Sequence, residues 1–330
     1  MLQAASTLRA IIALMHPPHF IKSKDNDFFK TIKSYHSAKY RKRDKVLIAE
    51  GAKLCHEALF TLQVRHIIVS KSYYDKHFSH RFENNAVFAI STESNTLREH
   101  TATSRRTQHP PCHLERSEAQ SRDLKPSQLQ VLPDKLEEFD QSKFTIFADS
   151  LFAQISELKT NQGILGIFEQ PSFEVNLAEL SKIVILEGIQ DPTNVGAIIR
   201  NAHCLGYELV VLGEACAHPF SPKVIRSSMG SVFRLPTFSL DSSEHLLQKI
   251  QDLKGAGFSI VGTALSGDEQ APGLEKFALL IGSEGSGLSQ QAIDVCDSVY
   301  TIKMDKSAES LNAAVASGIA MYLLNNPSHP

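Results

Sequence analysis

Beyond Ser181 the chain alternates short apolar runs with stretches whose apolar residues recur at helical spacing. Strands are predicted at 183–186, 209–212, 232–235, 259–265, 278–282 and 299–302, and helices at 194–204, 222–229, 243–253, 289–296 and 310–324. Ser221 caps the second of these helices and Gly230 stops it, Gly206 and Gly255 follow the first and third, and Ser310 caps the last. Strands that are apolar throughout, mostly alternating with helices, predict an α/β fold with a parallel sheet covered on both faces. Ligands of such sheets bind beyond the carboxyl ends of the strands.

The first half is less regular. A strand at 46–50 ends in Gly51, followed by a helix at 52–60 and a strand at 64–70. From about residue 95 to 127 the sequence is polar and aperiodic, which reads as an insertion. A strand at 144–148, a helix at 152–158 and a strand at 163–168 follow, before a linker beginning near Gln170-Pro171-Ser172. The expected organisation is an extension at 1–21, a small α/β domain at 22–170 interrupted by the insertion, a linker at 171–180 and a larger domain at 181–330. The acid-free first fifteen residues read as an extension, with a weak organellar presequence or a true start at Met15 as alternatives.

Composition excludes some classes. Five scattered cysteines with no Cys-x-x-Cys pair give neither a disulfide framework nor a structural zinc site, so a reducing, cytoplasmic setting is expected. His109, Cys112 and His113 lie in an irregular segment without a second ligand pair, and no metal is expected. No run of eighteen apolar residues is present, so no membrane helix is expected. The net charge of −2 conceals a basic segment from Lys22 to Lys45, with nine Lys or Arg against three Asp and with Phe28, Phe29, Tyr35 and Tyr40 interleaved. Such a segment suits a polyanion, its aromatics stacking on unpaired bases; the competing reading is a solvated helix face whose aromatics are core.

Three strand ends carry candidate chemistry. The first runs from Leu186 through Asn194 and Gly196 into a helix that buries Val195, Ile198, Ile199 and Ala202 while Arg200 lies off the stripe. The second is Gly282-Ser-Glu284-Gly-Ser-Gly287, where glycines let a ligand approach the backbone and Glu284 needs a partner. It is neither a dinucleotide fingerprint nor a P-loop. The third passes Ile302 and Met304 to Ser310-Leu311-Asn312, whose asparagine offers both donor and acceptor. Arg200 and Arg226 are expected to converge on one crevice, suited to phosphate or ribose oxygens.

Together these stretches resemble the three signature motifs of the SpoU (TrmH-type) branch of the SPOUT RNA methyltransferases: Asn194, Gly196 and Arg200; Gly282, Glu284 and Gly287; Ile302, Met304, Ser310, Leu311 and Asn312. Pro222 to Ser231 is similar to the segment between the first two, and Ser37 to Gly51 to a ribosomal-protein-L30e-like substrate-binding domain. The resemblance implies a C-terminal trefoil knot, a homodimer with the site near its interface, and methyl transfer from S-adenosylmethionine to a ribose 2′-hydroxyl of RNA. Ribosomal RNA is favoured over transfer RNA. It further implies a cofactor site of Thr263, Ala264, Leu265, Gly282, Ile302, Met304, Ser310 and Leu311, and RNA contacts at Lys39, Arg41, Lys42, Arg43 and Arg226. Asn194, Glu284 and Asn312 would hold Arg200 and the ribose. Arg200 suits electrostatic activation of the hydroxyl, because a guanidinium hardly deprotonates. Lys303 stands where the family usually has proline and Lys306 near a usual glycine, so both departures touch the cofactor loop. The alternatives are a non-catalytic RNA-binding protein of the same fold, a transfer-RNA methyltransferase, and a small-molecule α/β enzyme, which would leave the basic segment unexplained.

Overall fold

The computed structural model describes residues 19–82, 141–305 and 310–326. The insertion at 95–127, the first fifteen residues, His109, Cys112, His113 and Lys306 lie outside the described residues.

Two sheets are present. The first has the order β1-β4-β3-β5-β2, built from His19–Ile21, Val46–Glu50, Val64–Ser70, Phe144–Phe147 and Ile164–Glu169 as β1 to β5. It is mixed: β4 runs parallel to β1 and β3, and β5 antiparallel to β2 and β3. The second, ordered β11-β9-β10-β6-β7-β8, comprises Lys182–Leu186 (β6), Leu209–Leu212 (β7), Thr237–Ser239 (β8), Ser259–Asp268 (β9), Phe277–Ile281 (β10) and Ser298–Tyr300 (β11). Every pairing in it is parallel.

The continuous apolar runs are explained by burial on both sheet faces. Val184, Leu186, Val210, Leu212, Leu279 and Ile281 join one core with Val195, Ile198, Ile199 and Ala202 of the Pro192–Cys204 helix and Met321 of the Ala313–Asn325 helix. The alternating residues Ile183, Ile185, Leu209, Val211, Ala278 and Leu280 join a second core with Leu246, Ile250 and Leu253 of the Ser243–Gly255 helix. This is the period-two alternation of a strand with apolar residues in both phases.

Three expected elements shift. The strand expected at 232–235 is a 3-10 turn, Ser231–Phe233, and the edge strand is Thr237–Ser239. Met229 (φ 52°) and Gly230 (φ 84°) turn the chain before that run, so its apolar side chains pack as a turn. The helix expected at 152–158 is Asp149–Ile155. The last helix begins at Ala313, with Asn312 rather than Ser310 as its N-cap, its side chain accepting from Ala314 and Val315 N–H.

The two sheets are joined by packing and charge. The Pro222–Ser227 helix packs on β2, and Val224 and Ile225 share a core with Leu47 and Ala49. Arg226 pairs with Glu157 at 3.3 Å and Arg234 with Glu57 at 2.5 Å, each across the junction. Beside them Glu50 is buried, accepting from Ser156 Oγ and from Glu157 N–H, and burial pushes its carboxyl above the usual carboxylate range.

Gly196 lets the Pro192–Cys204 and Pro222–Ser227 helices meet. A Cβ there would lie 1.9 Å from Ser227 Oγ and 2.7 Å from the Val224 carbonyl oxygen. Gly196→Ala is expected to cost about 1–3 kcal/mol in urea unfolding, despite alanine's better helix propensity. Gly255→Ala, with nothing within 4 Å of the new Cβ, is expected to be neutral or stabilising.

Candidate active site

The three strand ends converge through one carboxylate. Glu284 Oε1 accepts from Asn194 Nδ2 at 3.0 Å and from the Ala313 N–H at 2.8 Å, and Asn312 Nδ2 donates to the same oxygen. Asn312 Nδ2 also reaches Asn194 Oδ1 at 3.1 Å. Each asparagine has a second task suited to its position. Asn312 Oδ1 caps the last helix, while Asn194 sits in the first turn of the helix that Asp191 caps and Pro192 opens.

The glycine loop is shaped to bring Glu284 here. Ser283 and Gly287 exchange backbone hydrogen bonds of 3.2 and 2.9 Å, and Ser283 Oγ accepts from Ser286 N–H. Gly282 admits no side chain, since a Cβ would lie 2.2 Å from the Gly287 carbonyl carbon. Glu187 ties this loop to the first strand end by accepting from Ser289 N–H and Oγ at 2.9 and 2.8 Å.

Two cavities share this wall. One, of about 330 Å³, is lined by all eight residues assigned to the cofactor: Thr263, Ala264, Leu265, Gly282, Ile302, Met304, Ser310 and Leu311. Its size lies in the ordinary range for small-ligand pockets. The other, of about 420 Å³, is lined by Gly188, Ile189, Gln190, Asp191 and Asn194. Ser283, Glu284, Gly285, Ser286 and Ala313 face both. The Thr193 N–H holds the Asp191 carboxyl below the usual carboxylate range, and Lys223, 3.4 Å away, acts in the same direction.

The other residues expected at the site stand outside this convergence. Arg200 is exposed and lines neither cavity; it stands six residues from Asn194, about 9 Å along the helix axis. Arg226 lines neither cavity either, and its guanidinium pairs with Glu157. Arg41 is buried with its Nη1 donating to the Tyr35 and His36 carbonyls, so it closes a turn rather than offering an RNA contact. Lys39, Lys42 and Arg43 are exposed. Of the interleaved aromatics, Phe29 and Tyr35 are core and Phe28 packs on His66, leaving Tyr40, 37% exposed, beneath the Arg43 guanidinium at 4.9 Å. Lys303 pairs with Glu269 at 3.2 Å, linking the third loop to the segment after β9. Sequence reasoning gave no role to Glu187, Asp191 or Gln190, although all three lie in the first motif.

Known proteins resemble the chain in sequence and in fold. Residues 181–322 match the model of the SpoU rRNA Methylase family. The chain is 34% identical over 182 residues to the 23S rRNA (guanosine(2553)-2′-O)-methyltransferase of Bacillus subtilis, covering 54% of this chain and 71% of that protein. The chain belongs to the SpoU family. A Mycobacterium tuberculosis relative, named as an uncharacterized tRNA/rRNA methyltransferase, is 30% identical over 189 residues, and the chain spans 65% of its length. In fold, this SpoU chain is similar to an AdoMet-bound rRNA methyltransferase of Sinorhizobium meliloti, with TM-score 0.65, 21% identity and coverage of 94% and 98%. It is also similar to the SpoU methyltransferase AviRb of Streptomyces viridochromogenes in complex with AdoMet, with TM-score 0.64, 21% identity and coverage of 91% and 97%.

Because Glu284, Asn194 and Asn312 share their hydrogen bonds, their substitutions are expected to be non-additive. Asn312→Ala should destabilise by about 1–2 kcal/mol through the lost cap. A double-mutant cycle with Asn194→Ala by denaturant unfolding should give a coupling of about 0.5 kcal/mol or more. Strict additivity would mean that the contacts carry no energy.

Proposed function

We propose that a methyl group passes from S-adenosylmethionine to a ribose 2′-hydroxyl of RNA at the wall shared by the two cavities. The protein is an RNA 2′-O-methyltransferase, and ribosomal RNA of the 23S type is its substrate in this reading. The observation that carries it is the convergence of Asn194, Glu284 and Asn312 beside a cavity lined by all eight expected cofactor residues. The name of the Bacillus subtilis relative supports the substrate class, and the AdoMet-bound members of the same fold support the cofactor.

The residues present fit that cofactor. Gly282 leaves its backbone bare where a Cβ cannot be placed, and Ala264, Ile302 and Leu311 supply apolar walls. When bound, S-adenosylmethionine supplies an electrophilic methyl carbon. The protein's part is positioning and charge. Glu284 Oε1, accepting from three donors, serves to hold the two asparagines and the helix start. Arg200 stabilises the negative charge that develops on O2′, while the hydroxyl proton passes to a substrate phosphate. The carbon–oxygen bond forms as the carbon–sulfur bond breaks.

Arg200 is off both cavities of its own chain, so in this reading a second copy supplies it. Leu265, Val315 and Tyr322, 70%, 51% and 50% exposed, provide an apolar surface for a homodimer near the site. Arg200 adjoins that surface, since its neighbour Asn201 donates to Ala314 O at 3.1 Å. The loops at 282–288 and 301–305 belong, in the same reading, to a trefoil-knotted segment. The first domain is L30e-like and presents Lys39, Lys42 and Arg43 to RNA. The free cysteines among the described residues suit a cytoplasmic enzyme.

Arg200→Ala is expected to lower kcat by about a hundredfold or more while leaving the cofactor Kd, by calorimetry, nearly unchanged. Mixing Arg200→Ala chains with Asn312→Ala chains should restore about a quarter of the wild-type sites if each site draws on both copies. No recovery after subunit exchange would place the arginine in its own chain's site. Full turnover by Arg200→Ala would remove it from the mechanism.

A further inference from the structure

The polar cavity beside Asn194 is braced from outside by a neighbouring loop. Its residue Ile189 is bound on both sides by the loop following β7: Ala217 N–H donates to Ile189 O at 2.9 Å, and Ile189 N–H donates to Cys216 Sγ at 3.3 Å. The next residue, His218, is exposed, with its ring packed edgewise on buried Phe220. Its Nδ1 accepts the Phe220 N–H at 3.2 Å. That bond fixes the tautomer, because a ring accepting at Nδ1 carries its proton on Nε2 as a donor.

The first domain reaches the same place. His218 lies just before the Pro222–Ser227 helix, and Lys42 just before β2; these two elements pack on each other. Partial burial, with the positive field of Arg41 and Lys42, keeps the His218 imidazole below its ordinary pKa and hence neutral. Arg41 is committed to backbone carbonyls, whereas Lys42 is exposed and forms no ion pair among the described residues. The charged groups that act on His218 are Arg41 and Lys42, while Glu157, which acts on Arg41, is engaged by Arg226.

We propose that His218 Nε2–H and the Lys42 ammonium together bind a backbone phosphate of the RNA strand, immediately outside the cavity that takes the target nucleotide. The proposal rests on the RNA-methylating reading above. It assigns the two groups different physics: Lys42 contributes a charge that releases counterions, and His218 contributes an oriented neutral hydrogen bond. The joint threads the strand from the cavity toward the Tyr40–Arg43 pair.

Binding of a 23S-type ribosomal RNA transcript, measured against salt concentration, separates these roles. His218→Ala should weaken affinity about tenfold with the slope of log K against log salt unchanged, whereas Lys42→Ala should reduce that slope by about 0.7–0.9. His218→Gln, whose amide nitrogen reaches the Nε2 position, should restore most of the affinity. His218→Asn keeps an acceptor for the Phe220 N–H but cannot reach outward, and should not restore it. Rescue by Asn and not by Gln would make His218 a mere brace for the loop. Unchanged affinity in His218→Ala, or a slope reduced by a full charge, would also overturn the proposal. Cofactor binding by calorimetry should be the same in all these variants. Failure of the wild-type chain itself to bind RNA would overturn the RNA reading together with this one, whereas normal wild-type binding with an inert His218 overturns this one alone.

Discussion

A single carboxylate oxygen organises the site. Glu284 Oε1 receives two side-chain amides and a backbone N–H, and those three donors come from the first helix of the second domain, the last helix and its cap. Hydrogen bonds accepted by a carboxylate are stronger than those between neutral groups. The loops after β6 and β10 and the start of the last helix are therefore fixed relative to one another before any ligand arrives. This is the preorganisation that a transfer reaction governed by alignment needs.

The parallel sheet makes that convergence possible. β6 and β10 are paired in register, from Lys182 opposite Phe277 to Leu186 opposite Ile281, so their chains leave the sheet side by side. Glu187 and Gly282 then diverge into loops that touch again through the Glu187 contacts to Ser289. Gly282 is indispensable to this geometry because the chain doubles back against it at Gly287 and Leu288.

Much of the second domain was legible because its strands are buried on both faces and read as unbroken apolar runs between caps and glycines. Residues meant to meet were legible too: all eight residues expected at the cofactor line the apolar cavity. What sequence could not give was direction. Arg41, Arg226 and Arg200 look alike in a chain, yet one closes a turn, one pairs with Glu157 between the two sheets and one is exposed and lines neither cavity. Likewise Ser310 and Asn312 are both good caps, and the choice fell to Asn312 because Glu284 also claims its amide. Phe29 and Tyr35 were ambiguous for a similar reason, since aromatics between lysines serve equally as a core stripe or a stacking platform.

The most direct measurement of the central claim is the chemical position of the transferred methyl group. Incubation of the protein with a 23S-type ribosomal RNA transcript and methyl-tritiated S-adenosylmethionine, followed by alkaline hydrolysis, distinguishes the possibilities, because a 2′-O-methyl group protects the adjacent phosphodiester. The account predicts tritium in alkali-resistant dinucleotides, lost when Glu284 is replaced by alanine. Label recovered in mononucleotides as a methylated base, or no transfer to RNA at all, would contradict it.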